Sequence, residues 1–296
     1  MKLIISISIF IILLFNQSLA QGARTTLPHD TYVYKNVDNL DVEADVYGGN
    51  STVTKPVLVY IHGGALVAGT RKMIRSKQLQ AYLDAGFVVV SIDYRLAPEV
   101  KIPQIAGDLK DAFAWITKAG PTLFGADPDR ISVVGQSAGG YLTLLSGHFI
   151  KPRPKALISY YGYGDIIGPW YSEPDPHYCK QSAVSEEGSG KHVDTPVVSN
   201  RAFSDNSKAK FYLWCRQNGR WPIEVGGVDP ELDSDFFTPY MPVLNVDKGY
   251  PPTFLIHGDK DTDVPHEQSV LISEVLDKTG VEYEFLTIKD GGHGFD

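Results

Sequence analysis

The chain has 296 residues, 43% of them hydrophobic and 21% charged, with a formal charge of −8 at pH 7. Its 27 Lys and Arg residues are scattered rather than clustered, which argues against nucleic acid as a partner. No internal repeat or low-complexity tract interrupts it, so it reads as one globular domain rather than an array or a disordered chain.

Residues 1–20 open with Met1-Lys2, continue as an uncharged apolar run over 3–15 and end in Ser18-Leu19-Ala20. The run is shorter than the roughly 20 residues that span a bilayer, so it reads as a secretory leader cleaved after Ala20 and not as a stable membrane anchor. Cleavage would remove Lys2 and leave roughly 275 residues, a size suited to a single α/β domain over 21–296. In a secreted chain the two cysteines, Cys179 and Cys215, are expected to form a disulfide. Asn50, in Asn50-Ser51-Thr52, is then an acceptor for N-glycosylation. No Cys or His pairs fall at the spacing of a structural zinc site.

Residues 31–35 and 40–47 alternate as two strands of an edge hairpin. The run Val57-Leu58-Val59-Tyr60-Ile61 is apolar throughout, as in a strand buried on both faces of a parallel sheet, and ends in His62-Gly63-Gly64-Ala65. A helix is predicted over 71–85 and a buried strand over 87–92, which ends at Asp93. Pro103 opens a helix reaching residue 118, with Ile105, Leu109, Phe113 and Ile116 on its inner face and Asp108, Lys110 and Asp111 outside. The strand leading to Gly135 and the helix after Ser137 follow, then a strand over 156–160. This alternation predicts a mostly parallel central sheet with helices on both faces.

From 161 to 250 the pattern gives way to a long stretch rich in Pro, Gly and aromatics, among them Trp170, Tyr171, Trp214, Trp221, Phe236 and Phe237. A loop of that length without structure is improbable in a compact domain. The stretch therefore reads as an inserted cap with short helices, one near 208–218, whose aromatics line a substrate pocket or form the cap's own core. The sheet resumes over 253–256, followed by a helix over 265–278 with Val270, Leu271, Val275 and Leu276 inward, and a last strand over 282–288.

In such sheets reactive groups gather at the carboxyl ends of strands, where His62, Asp93 and Ser137 all lie. Ser137 sits in Gly135-Gln136-Ser137-Ala138-Gly139, a Gly-x-Ser-x-Gly between a β-branched run and a helical segment. The flanking glycines would let strand and helix approach closely enough to expose the serine on a sharp turn. The N–H of Ala138, at the helix start, is then free to face a developing negative charge. A serine hydroxyl needs a base, and the base needs an orienting acid. His293, among glycines just beyond the last strand, is the candidate base, and the acid is Asp259, Asp261 or Asp263; spacing alone leaves those three open. The tight turn at Gly64 and Ala65 offers further inward N–H donors for an oxyanion.

Together, Gly135-Gln136-Ser137-Ala138-Gly139-Gly140, the His62-Gly63-Gly64-Ala65 turn about 75 residues before it, the run from Asp93 to Glu99 and the terminal Asp and His segments resemble the α/β-hydrolase fold. They are most similar to its esterase/lipase branch related to hormone-sensitive lipase. The resemblance spans nearly all of the chain after the leader except the cap. It implies a serine hydrolase of carboxylic esters that acts on a small-molecule substrate through an acyl-enzyme and needs no metal or organic cofactor. The family pattern His-Gly-x-x-Asp-x-x-Val falls on His257, Gly258, Asp261 and Val264, which selects Asp261 as the acid. By the same analogy Tyr94 and Arg95 brace the oxyanion loop. Two departures stand out: Ala65 replaces a third glycine, and the sequence stops three residues after His293, where relatives continue into a covering helix. The second departure implies either a truncated product or a loosely held histidine.

Parts of the pattern also resemble prolyl-oligopeptidase-type peptidases and arylformamidases. A non-catalytic binding member of the fold is the rival from another class.

Overall fold

The computed structural model describes residues 27–191, 196–201 and 206–295. The expected leader and its cleavage after Ala20 lie outside the described residues, and among these no helix is long and apolar enough to cross a membrane.

Among the described residues eight strands form one sheet: β1 (Asp30–Val37), β2 (Leu40–Tyr47), β3 (Lys55–Ile61), β4 (Val88–Ile92), β5 (Ala126–Gln136), β6 (Leu157–Tyr160), β7 (Thr253–Gly258) and β8 (Tyr283–Ile288). Their order is β1-β2-β4-β3-β5-β6-β7-β8. The β1–β2 and β2–β4 pairs are antiparallel and all others parallel, so the hairpin lies at one edge as expected. Continuous apolar strands follow from burial on both faces. In β3, Val57, Val59 and Ile61 join one core cluster, while Leu58 and Tyr60 join the other.

Among the described residues five longer helices are α1 (Ser76–Asp84), α2 (Ile102–Lys118), α3 (Ala138–Phe149), α4 (Asn206–Asn218) and α5 (Glu267–Thr279), α4 lying in the 161–250 stretch. The helix expected from residue 71 begins later, because Arg71 is drawn inward as part of a short 3-10 turn. Its backbone N–H donates to Asp93 Oδ1 at 2.6 Å, and its side chain bonds to Asp45 at 2.8 Å and to Asp93. Asp108, expected on the outer face of α2, is fully buried. Its carboxylate accepts the backbone N–H and guanidinium of Arg95 at 2.7–3.1 Å and the Lys35 ammonium at 2.7 Å. A buried carboxylate is tolerated when its lone pairs are so occupied.

The inner face of α5 is also rotated from the apolar pattern, and Leu271 is exposed while Gln268, Ser269 and Ile272 are buried. The inward polar groups have partners. Gln268 Oε1 accepts from the backbone N–H groups of Gly164 and Asp165 at 3.3 and 3.1 Å, and Ser269 Oγ lies 2.7 Å from His257 Nδ1.

The 161–250 stretch contains α4 and several short helical turns. It touches the loops at the carboxyl ends of the strands: Gly69 bridges Arg201, Lys208 pairs with Glu99 at 2.7 Å, and Lys101 Nζ donates to the Glu224 carbonyl at 2.6 Å. Its aromatics mostly pack on one another, with Trp170 stacked on Tyr171 at 3.6 Å and Tyr171 on Trp221 at 4.2 Å. The expected disulfide is absent: α4 turns Cys215 fully into the core, whereas Cys179 lies exposed on a separate turn, its Sγ 3.8 Å from the Gln217 carbonyl.

Candidate active site

Strand β5 delivers Ser137 to its carboxyl end in a conformation of φ 55° and ψ −123°, which few side-chain-bearing residues adopt. What holds the strain is the contact on either side. A Cβ on Gly135 would collide with the carbonyl of Gly139, and one on Gly139 with the carbonyl of Ile61. The serine N–H is tied to the Tyr160 carbonyl at 2.9 Å, and α3 starts at the next residue.

The loops after β7 and β8 meet beside it. The N–H groups of Asp259 and Lys260 donate to the Ile288 and Gly291 carbonyls at 3.1 and 2.9 Å, which fixes the approach of the two loops. His293 Nε2 lies 3.1 Å from Ser137 Oγ, and its Nδ1 lies 2.7 Å from Asp261 Oδ2. Of the three candidate acids the structure brings Asp261 to the imidazole. Asp259 instead accepts the Asp290 N–H at 2.7 Å. Asp263 holds contacts of its own, described below.

The Asp261 side chain is fully buried. Burial raises its carboxyl, but hydrogen bonds from His257 and His293, the histidine charge and the Asp263 N–H outweigh this and hold it below the usual carboxylate range. The other oxygen, Oδ1, accepts the N–H groups of Asp263 and Val264 at 2.8 and 2.9 Å. His293 is not loosely held, since both its ring nitrogens are engaged and Tyr161 packs edge-on at 4.7 Å.

The 62–66 loop packs directly on the elbow, with a Cβ on Gly63 falling 3.2 Å from Ser137 Cβ. Its carbonyls are committed elsewhere. Gly63 accepts from His62 Nδ1 at 2.8 Å, Gly64 from the Val67 and Ala68 N–H groups at 2.9 Å, and Ala65 from the Trp221 indole at 2.9 Å. A trans peptide points its N–H opposite its carbonyl, so the Gly64 and Ala65 donors face away from these partners. Ala65 and Leu66 take positive φ, 54° and 62°, so the loop is strained as well as braced. Tyr94 supports it, stacked on the His62 ring at 4.2 Å and donating to the His62 carbonyl at 3.0 Å, while the Arg95 guanidinium is held by Asp108. Burial pushes the His62 imidazole down to about 4, so the ring is neutral near pH 7.

Sequence reasoning missed His257, Tyr161 and Trp221 as parts of this site. His257 Nε2 lies 3.0 Å from the Val264 carbonyl and 3.3 Å from Asp261. Its place in the His-Gly-x-x-Asp pattern was the available signal, whereas Trp221 is 156 residues from its partner and carried none.

A mostly parallel eight-stranded sheet with a strained serine at a strand-to-helix turn and a histidine-carboxylate pair on later loops defines the α/β-hydrolase class. The chain belongs to the α/β-hydrolase fold family, whose model matches residues 58–296. Among solved structures it is similar to a protein of unknown function from Staphylococcus aureus subsp. aureus Mu50, with TM-score 0.72 and 24% identity over 90% of this chain and 91% of that one. It is also similar to the thermophilic esterase Est2 of Thermogutta terrifontis, with TM-score 0.62 and 23% identity over 90% and 83% of the two chains. At these identities the likeness is one of fold. Curated relatives include the non-reducing polyketide synthases Preu3 of Preussia isomera, 29% identical over 315 residues, and ausA of Aspergillus calidoustus, 30% identical over 320. Each match covers 90% of this chain, and the chain spans only 12% and 13% of those proteins' lengths.

Proposed function

We propose that the protein is a serine hydrolase of carboxylic esters that works through an acyl-enzyme on Ser137. The observation that carries this reading is the unbroken line from Ser137 Oγ to His293 Nε2, at 3.1 Å, and from Nδ1 to Asp261, at 2.7 Å. These are hydrogen-bond distances, the reach a general base needs. His293 accepts the serine proton as Oγ attacks the ester carbonyl. The N–H groups of Ala138, Gly64 and Ala65 receive the oxyanion, and such donors typically lower the barrier by about 3–4 kcal/mol each. The protonated imidazole, oriented by the ionised Asp261, then gives its proton to the departing alcohol. Water, deprotonated by the same histidine, adds to the acyl carbonyl and releases the acid, restoring Ser137. The scheme calls on no metal or organic cofactor.

The test is turnover of short-chain chromogenic esters by the wild type and Ser137→Ala. Loss of nearly all turnover with an unchanged circular dichroism spectrum supports the assignment; retention of most of it refutes it. Parallel assays on an Xaa-Pro amide, an N-formyl aryl amine and an acyl thioester separate esters from the neighbouring acyl-transfer substrates. Labelling by a fluorophosphonate probe separates the enzyme from a non-catalytic binder. The same reading keeps residues 1–20 as a secretory leader and Asn50 as a glycosylation site. Asn50 lies on an exposed turn, its Oδ1 accepting from Thr52, and secretion of a glycosidase-sensitive product from expressing cells would test both.

A further inference from the structure

Asp263 stands two residues beyond Asp261 and has no part in the steps above, yet four groups converge on it. Its Oδ1 accepts from Tyr178 Oη at 2.8 Å, Tyr212 Oη at 2.6 Å and Arg216 Nη1 at 2.8 Å, all from the 161–250 stretch. Its Oδ2 lies 3.4 Å from Nε2 of His293, the same nitrogen that faces Ser137. The backbone N–H of Asp263 meanwhile donates to Asp261 Oδ1, so the two carboxylates are joined through one turn.

Arg216 is almost wholly buried. Besides Asp263 it reaches Asp175 Oδ2 at 2.6 Å, and its guanidinium lies 4.7 Å from the Tyr178 ring centre and 5.0 Å from that of Tyr171. A guanidinium withdrawn from water is tolerated only with its counter-charges in place. Separating this stretch from the β7 loop would take from Arg216 one of its two carboxylates and from Asp263 its three Oδ1 donors, so the seating of the stretch and the conformation of the Asp263 carboxylate are coupled.

We propose that Asp263 is a positioning residue for His293, seated by Arg216, Tyr178 and Tyr212, so that the imidazole is aligned on Ser137 only while the 161–250 stretch is docked. This rests on the ester-hydrolase reading. Groups facing the ring include Asp261 at Nδ1, Asp263 and Ser137 at Nε2, and the Tyr161 ring packed edge-on. When Nε2 takes up the serine proton, its N–H is shared between the substrate side and Asp263 Oδ2, and a carboxylate there favours the charged ring. Three donors on Oδ1 keep that carboxylate from swinging in to displace the serine.

The full chain is assayed on a short-chain p-nitrophenyl ester from pH 5 to 9, with fluorophosphonate labelling in parallel, as wild type, Asp263→Asn and the double variant Tyr178→Phe/Tyr212→Phe. For Asp263→Asn the expected result is a kcat lower by about 10- to 100-fold with KM within about twofold. The acid limb of its kcat/KM profile also moves to lower pH. The double variant keeps the charge, so its kcat falls by about three- to tenfold with the acid limb unmoved. Wild-type kcat and an unmoved limb in Asp263→Asn overturn the proposal, as does a fall that only tracks lost folded protein by circular dichroism. Should Asp263→Asn fail to fold, the double variant decides: a kcat fall at constant KM supports the proposal and an unchanged kcat overturns it. An active, labelled wild type with indifferent variants sinks this inference alone. A wild type that neither turns over nor labels sinks the ester reading and this one with it.

Discussion

Trp221 donates its indole N–H to the carbonyl of Ala65 over 2.9 Å, joining the 161–250 stretch to the loop beside Ser137. Both partners are buried, so the bond helps to hold a positive-φ residue whose own N–H is a proposed oxyanion donor. Trp221→Phe keeps a ring against Tyr171 and removes the donor. The expected outcome is a stability loss of about 1–3 kcal/mol in urea melts and a kcat about tenfold lower with little change in KM, because a displaced donor weakens the transition state more than the bound substrate. Unchanged kcat would mean that the loop holds its shape unaided.

Asp261→Asn replaces an ionised carboxylate by an amide that orients the imidazole in the wrong tautomer. Activity on esters is expected to fall by about 10³- to 10⁴-fold, as for removal of the acid in other serine triads. There is a stability counterpart. The folded carboxyl is held below its unfolded range, so its contribution is present above about pH 4 and is lost as pH falls through the folded value. Urea midpoints between pH 7 and pH 3 should therefore fall less steeply in the variant than in the wild type.

The His62 ring has the opposite chemistry. Its folded value, near 4, lies below the usual 6.5, so the neutral ring stabilises the fold fully above pH 6.5, and this is lost as pH falls toward 4. The full loss corresponds to about 3 kcal/mol. Asp93, raised by burial to about 6 despite its Arg71 partner, works against it from pH 6 down to 4. The wild type should thus weaken by less than that between pH 6.5 and 4, and His62→Asn, if folded, should become more stable on acidification over pH 6 to 4. A variant with the wild-type slope would assign the pH response to other groups.

Asp108→Ala leaves Arg95 and Lys35 facing a vacated carboxylate site. Removing one partner of a buried charge pair typically costs about 3–5 kcal/mol, and Lys35, which also holds Asp111 at 2.5 Å, softens that toward the lower end. Thermal unfolding should show the loss directly.

With Cys179 exposed and Cys215 buried and unpaired, a thiol reagent should modify one cysteine of the native protein rapidly. Burial also raises the Cys215 thiol, which disfavours the reactive thiolate. The second equivalent should appear only in denaturant. Two unreactive sulfurs under non-reducing denaturing conditions would restore the disulfide.

What the sequence made legible was what local chemistry dictates. Strands such as Val57-Leu58-Val59-Tyr60-Ile61 are apolar because both faces are covered, and the Gly135 to Gly139 turn is written in small residues because backbones must nearly touch. The errors fell where a polar side chain turns inward to serve a distant partner. Asp108 reaches Lys35 73 residues away, and Gln268 caps N–H groups more than 100 residues earlier. No periodicity encodes such pairs. The choice of Asp261 needed the family pattern, since three aspartates share its loop, and the structure separates them by burial and by which one meets Nδ1 of His293.

Serine and imidazole are 156 residues apart in the chain, and the imidazole comes after the last strand has ended at Ile288. The architecture and the reactive centre therefore have different vulnerabilities. A cut between Ile288 and His293 would leave the eight strands in place and, on the proposed reading, remove the base. On the proposed reading, soundness of fold is then a poor proxy for the number of intact sites, which titration with a fluorophosphonate would count directly.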